Sequence, residues 1–169
     1  MPDATGLELI AQELRDAEPE SVIDTVFFRE QATLEIHPSH VRTVIQHLGA
    51  KGYNFLASLH GCDYYPHEPR LGVLYELLDM REVDRITVKA RVPIDAAQID
   101  SVVDMFPGAD FPEREVFDMF GVVFAGHPDL RRILMPEDYE GHPQRRDFPL
   151  GGEPVLFTHN DPSSPGWTR

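Results

Sequence analysis

The sequence has one cysteine, Cys62, and that scarcity removes whole classes of chemistry. An internal disulfide, a four-cysteine zinc site and a self-contained iron-sulfur cluster with cysteine ligands all need more than one. Long apolar runs are also missing. Charged residues interrupt every hydrophobic stretch before the roughly 18 to 20 residues that a membrane helix needs, so membrane contact is expected only through a partner. The opening Met1-Pro2-Asp3 lacks a basic segment leading into an apolar one, which gives no case for a secretory signal and points to the cytoplasm. Basic residues are few: 15 Lys and Arg against 29 Asp and Glu leave a formal net charge of −14. Nucleic acid and anionic lipid suit such a chain poorly, because phosphate binding rests on clustered cations. No glycine-rich phosphate loop or dinucleotide fingerprint occurs, so no nicotinamide dinucleotide is expected to bind.

What is present fits one core, as expected for 169 residues. Leu7, Ile10, Ala11 and Leu14 recur at helical spacing and predict a helix over about 4–17. Val41, Val44, Ile45 and Leu48 repeat the stripe behind Pro38 and stop at Gly49 and Gly52. Between these helices, 22–28 is rich in β-branched and aromatic residues and 32–36 alternates apolar with polar, which predicts two strands. Three further sets spaced by two predict strands: Phe55, Ala57, Leu59; then Leu71, Val73, Tyr75, Leu77; then Ile86, Val88, Ala90, Val92. A helix is expected near 96–106, followed by a turn at Pro107-Gly108. Together these predict an α+β (mixed α/β) fold, a single domain with a mixed, largely antiparallel sheet covered by helices.

The chain changes character near Phe111. Asp110 and Glu113 stand three apart, as an N-cap and its partner do, and Gly121 suits the left-handed position after a helix, so a helix of about ten residues is expected between them. Within it, Glu113, Arg114, Glu115 and Asp118 crowd four charges into six positions, with Arg114 and Asp118 spaced for an i, i+4 pair. Gly126-His127-Pro128 and Gly141-His142-Pro143 then form matching tripeptides whose glycines allow bends and whose prolines bias the preceding His to extended backbone. Arg131-Arg132 and Arg145-Arg146 accompany them, interleaved with Asp129, Glu137, Asp138, Glu140 and Asp147. Prolines 136, 143, 149 and 154 keep this stretch from regular structure, and its apolar content is too low for a core. Ile133, Leu134, Met135, Tyr139, Phe148 and Leu150 are dispersed through it as anchors. We therefore expect a globular head over 1–120 and an extended, proline-rich arm over 121–169. The arm should become ordered on another protein, its arginines pairing with that partner's carboxylates.

The same stretch resembles the C-subunit family of NADH-quinone oxidoreductase, respiratory complex I, also called the 30-kilodalton subunit family. The resemblance rests on ordered blocks: Glu113-Arg114-Glu115, Asp118-Met119-Phe120-Gly121, Gly126-His127-Pro128, Leu130-Arg131-Arg132-Ile133-Leu134 and Gly141-His142-Pro143-Gln144-Arg145. Upstream, Tyr53-Asn54-Phe55, Asp63-Tyr64-Tyr65 and Val73-Leu74-Tyr75 are similar more loosely, so about 20–150 is covered. Phe111 and Tyr139 stand where tryptophan is common in the family, and Gln144 where leucine is.

The resemblance implies a non-redox subunit in the peripheral arm of the complex, at the cytoplasmic side of the membrane. It implies a D subunit as neighbour, near the quinone site, with FMN, iron-sulfur clusters and quinone held by partner subunits and none by this chain. The implied partner interface is Glu113, Arg114, Glu115, Asp118, Phe120 and Gly121 on and after the helix, Gly126, His127, Pro128, Leu130, Arg131, Arg132, Ile133, Leu134 and Pro136 beyond it, and Gly141, His142, Pro143, Arg145, Arg146, Asp147, Phe148 and Pro149. An equivalent subunit of a membrane-bound hydrogenase or another complex I-like dehydrogenase would carry similar motifs. A different reading draws His60, Cys62 and His67 as ligands of a hydrolytic zinc, with water as the fourth. Glu113 and Glu115, two apart on a helix, diverge by about 200° and cannot converge as an acid–base pair. His127 and His142 could bind a metal or relay protons near neutral pH, and the resemblance implies structural hydrogen bonds at the corners instead.

Overall fold

The computed structural model describes residues 3–149. Helix α1 (Ala4–Ala17) opens on Asp3, whose carboxylate accepts the Gly6 N–H at 2.7 Å, and it buries the Leu7, Ile10, Ala11 and Leu14 stripe. Strands β1 (Val22–Phe28) and β2 (Gln31–Ile36) form a hairpin whose turn residues, Arg29 and Glu30, both have positive φ. A short 3-10 turn at Pro38–His40 leads into α2 (Val41–Ala50), which buries Val41, Val44, Ile45 and Leu48.

Strands β3 (Phe55–Asp63), β4 (Leu71–Asp79) and β5 (Asp84–Val92) are an antiparallel meander. The last of them pairs in parallel with β2, giving the order β1-β2-β5-β4-β3 and the mixed, largely antiparallel sheet that the sequence predicts. One face of each inner strand is fully buried: Leu34 and Ile36, then Val73, Tyr75 and Leu77, then Ile86, Val88 and Ala90. On the other face, Lys89 donates to Glu35 at 2.7 Å and the Thr87 hydroxyl donates to Glu76 at 2.9 Å.

The helix expected near 96–106 does not form. Its residues make a 3-10 turn at Ile94–Ala96, a short strand β6 (Gln98–Asp100) and a loop, and β6 runs parallel to β7 (Val123–Ala125). The Ala97 carbonyl accepts the Val123 N–H, and the Ser101 N–H reaches the Ala125 carbonyl, both at 2.8 Å. The backbone groups of this segment are thus satisfied by chain some 25 residues later, a partner invisible to local periodicity.

Helix α3 (Asp110–Phe120) is present, with Gly121 in the left-handed conformation at its end. Its start differs from the expected capping pair. Ala109 is the N-cap, and the Glu113 carboxylate is buried, accepting the Val102 N–H at 2.8 Å and the Ser101 hydroxyl at 2.7 Å. The helix therefore joins the loop after β6 through a side chain. It packs on β3, where a Cβ at Gly61 would overlap the Phe120 ring.

That contact predicts opposite outcomes for two alanines. Gly61→Ala should lower unfolding stability by roughly 1–3 kcal/mol through overpacking. Gly49→Ala, in α2 with open space around it, should raise stability by up to about 1 kcal/mol through helix propensity. Thermal and urea unfolding of the purified chain measure both.

Candidate functional site

Residues 126–149 contain turns and bends but no helix or strand, as the sequence suggests, yet they do not project from the head. They return over the end of α3, and the reason is Asp118. Its side chain is 0% exposed, and one oxygen, Oδ2, accepts three successive backbone N–H groups, from Ile133 (3.0 Å), Leu134 (2.8 Å) and Met135 (2.8 Å). The other oxygen, Oδ1, accepts Arg132 Nη1 at 2.6 Å. Consecutive N–H groups converging on one anion form a nest. Burial alone would raise the Asp118 pKa, but the Met135 N–H, the Arg132 guanidinium and the N–H groups of Leu134 and Ile133 hold it below the ordinary carboxylate value.

The same return satisfies the carbonyls that end α3. A helix leaves its last four C=O groups without intrahelical donors. The Phe117 carbonyl takes the Gly121 N–H at 2.9 Å, and the Asp118 carbonyl takes His142 Nδ1 at 3.0 Å and Arg132 Nη1 at 3.3 Å. The Met119 carbonyl accepts the Gln144 N–H at 3.2 Å, and the Phe120 carbonyl accepts Arg145 Nε at 2.7 Å. Two guanidinium groups thus stand where the helix dipole favours positive charge. Gly121 is required twice over, by its φ of 78° and because a Cβ there would strike His142 and Arg145. Burial, opposed by the Asp118 carbonyl and reinforced by Arg145 and Arg132, lowers the His142 pKa, which favours the neutral ring.

A second clasp holds the far end of the segment. Arg70, buried at the start of β4, grips Asp63 with Nε and Nη2 at 2.8 and 2.7 Å, while its Nη1 reaches Asp147 at 2.7 Å. Asp63 also accepts the N–H groups of Arg146 (2.7 Å) and Tyr65 (2.9 Å). Hydrogen bonding from Arg70, against a desolvation penalty and with help from those N–H groups, holds Asp63 well below the usual carboxylate range; Arg70 lowers Asp147 likewise. The site reading from sequence missed Asp63 and Arg70. The available signal was parity: Asp63 continues the inward-facing positions of Leu59 and Gly61 on β3, and a carboxylate there needs a buried cation.

Several expected site residues therefore have other roles. Arg114 does not pair with Asp118; it donates to the carbonyls of Arg131 (3.2 Å) and Arg132 (3.3 Å). Arg132 serves this chain's own carboxylate, because Asp118 lies buried beneath the segment. Glu113, Arg114, Asp118 and Phe120 are buried, whereas Glu115, Gly126, Pro128, Arg131, Leu134, Pro136, Gly141, Arg146 and Pro149 are exposed. Leu130, Ile133, Pro143 and Phe148 are half-buried; Phe148 stacks on Tyr139 with centroids 6.3 Å apart. His127 takes the Asp129 N–H on Nδ1 and donates from Nε2 to the Asp110 carbonyl, a structural corner. The zinc reading fails, since His60, Cys62 and His67 do not converge and no cluster of three metal-ligating side chains exists among the described residues. Leu150 and 151–169, the rest of the expected arm, lie outside the described residues. No helix among those described is long and apolar enough to cross a membrane.

The family model for the respiratory-chain NADH dehydrogenase 30 Kd subunit matches residues 34–154. The C subunit of NADH-quinone oxidoreductase from Roseiflexus castenholzii is 43% identical over 150 residues, 87% of this chain and 86% of that protein. The protein named subunit 5 of the same enzyme in Thermus thermophilus is 47% identical over 120 residues, 66% of this chain and 58% of its own. A trypsin-resistant fragment of Nqo5 superposes with a TM-score of 0.63 at 33% identity, covering 73% of this chain and 98% of the fragment. A chain of an archaeal membrane-bound sulfane sulfur reductase shares the fold, with a TM-score of 0.70 at 24% identity over 85% of each.

The two carboxylate clasps predict acid sensitivity. Groups with depressed folded-state pKa values contribute stability that is present above their unfolded value of about 4 and is lost as pH falls through the lower folded values. The 126–149 segment should therefore resist limited proteolysis at pH 6 and lose that resistance progressively below about pH 4. Asp118→Asn should cost about 2–4 kcal/mol of unfolding stability, since it strips charge from a buried acceptor of four donors. The same substitution should open the segment to protease at neutral pH.

Proposed function

From the premise that this chain belongs to the family of the respiratory-chain NADH dehydrogenase 30 Kd subunit, we propose that it is a non-redox structural subunit of the peripheral arm of a proton-translocating NADH-quinone oxidoreductase. In this reading it docks through its return segment on the D subunit, near the quinone site, at the cytoplasmic side of the membrane. Electron transfer from NADH to quinone is a property of the whole complex. One cysteine does not fit an iron-sulfur cluster with cysteine ligands held by this chain alone; in this reading the clusters, FMN and quinone belong to partner subunits.

The observation that carries this proposal is a segment without regular structure whose backbone is nonetheless hydrogen-bonded to buried carboxylates. Asp118 and Asp63 fix its backbone from beneath, which leaves Arg131 and Leu134 facing outward, Leu134 at 60% exposure. Arg114 holds the segment from one side and has the exposed Phe111 ring 5.7 Å from its guanidinium carbon, so a second apolar group stands nearby. Preorganisation of this kind lowers the entropy cost of docking. An exposed leucine beside an unburied arginine supplies an apolar anchor and a fork for a partner carboxylate.

The structure refines which arginine tests the idea. Arg132 holds its own chain together, so replacing it would mix folding with docking, whereas among the described residues the Arg131 guanidinium pairs with the exposed Asp129 at 2.8 Å. The double variant Arg131→Glu with Leu134→Asp should keep stability within about 0.5 kcal/mol of the parent, as surface changes do. It should reduce D subunit recovered with a tagged chain from its own cells at least tenfold. Wild-type recovery would remove the segment from the interface, and a tagged parent chain that brings down no D subunit would sink the function itself.

The fold shared with a sulfane sulfur reductase chain supports a second reading, an equivalent subunit in a hydrogenase or another complex I-like dehydrogenase. An NADH-binding flavoprotein in the recovered complex favours the first reading, and its replacement by a hydrogenase catalytic subunit favours the second.

A further inference from the structure

The terminal strand β1 is bonded to β2 on one side and to no strand on the other among the described residues. Positive φ at both Arg29 and Glu30 makes a two-residue primed turn, in which the flanking Phe28 and Gln31 are the hydrogen-bonded pair. Pairs alternate along an antiparallel ladder, so Thr25 and Phe27 direct their N–H and C=O groups to the open edge. The edge is apolar on both faces of the sheet. Phe27 lies on the helix side at 41% exposure, and Val26 and Phe28 lie on the opposite side at 43% and 63%. Free edges are usually blunted by shortness, lysine, proline or a bulge; this strand has seven residues without lysine or proline, and its one register shift, between Val22 and Asp24, leaves 25–28 regular.

We propose that β1 is a docking edge for one extended strand of a neighbouring subunit, bearing β-branched or aromatic residues on both faces and Lys or Arg at its flanks. The open backbone edge, where the Asp24 carboxylate accepts the Thr25 N–H at 2.9 Å as a local stand-in for a strand carbonyl, selects a strand, and the exposed Val26, Phe27 and Phe28 select apolar side chains. Glu8, whose carboxylate accepts the Thr25 hydroxyl, lies with Asp24 and Glu30 around the edge, and these carboxylates select cationic flanks. The local cations are already engaged: Arg15 faces Glu8 at 3.8 Å, and Arg29 lies over the Phe28 ring at 5.1 Å. A second copy would set the same carboxylates against one another in a chain of net charge −14. The apolar Val155-Leu156-Phe157 of this chain is flanked by Glu153 and Asp161 rather than by Lys or Arg.

This inference rests on the chain being a subunit of a larger complex, and the test separates the two. Hydrogen exchange over residues 22–28 is compared between the isolated full chain and the whole complex recovered on a tagged full chain. The Thr25 and Phe27 amides should exchange at least tenfold more slowly in the complex. Carbodiimide should couple Asp24 or Glu30 to a lysine of another subunit. Val26→Lys should reduce recovery of the complex at least tenfold at an unchanged melting temperature. Equal exchange in the two states, or wild-type recovery for Val26→Lys, overturns the proposal while leaving the subunit reading intact. So does protection in the isolated chain that disappears on truncation after Pro149, or that grows with concentration, since these identify the chain's own tail or a second copy. A tagged chain that recovers no complex overturns both.

Discussion

An ionised carboxylate at position 118 has to find donors, because burial of an unpaired charge costs several kcal/mol even after relaxation. In this fold the donors come almost entirely from residues 132–135, and that need organises the second half of the molecule. Three consecutive N–H groups and one guanidinium converge on the Asp118 side chain, which sets the backbone of a segment with too little apolar content to set itself. Once that loop is seated, His142, Gln144 and Arg145 fall against the open carbonyls of α3, and Gly121 must be a glycine to let them approach. The helix end and the return segment are therefore one structure. Neither has its polar groups satisfied without the other.

Arg70 plays the corresponding part at the sheet. By gripping Asp63 on β3 and Asp147 on the returning chain, it ties the segment to the strands that carry the core. Buried ionic groups of this kind depend on one another, since removal of one partner leaves the other charge uncompensated. The register they set here presents Arg131 and Leu134 outward while Arg132 turns inward. The surface made this way is irregular in backbone yet held from beneath by buried side chains.

The head was legible because its signals are local. The stripes of α1 and α2 and the alternation of β4 and β5 follow directly from burying one face of a helix or sheet, and each apolar residue read inward there is buried. The 96–106 segment misled for the opposite reason: its backbone partners lie in β7, and parallel pairing across that separation leaves no periodic trace. Glu113 and Asp118 misled as well. Spacing suggested a cap and an intrahelical ion pair, both exposed devices, but helix packing turned both carboxylates into the interior, toward Ser101 and Arg132.

By itself the sequence determined the mixed sheet with helices against it, the single-cysteine limit on redox chemistry, the glycine after α3, and the ordered blocks that mark the family. Periodicity, ligand count and backbone conformation are properties of neighbouring residues, so one chain read in order suffices for them. Only the tertiary structure decided that the arm lies on its own head over 126–149, that Asp63 and Arg70 hold it, and which arginine of each pair faces outward. Those outcomes depend on which donor reaches a buried carboxylate first in space, across separations of 14 to 83 residues, and no local pattern encodes that competition.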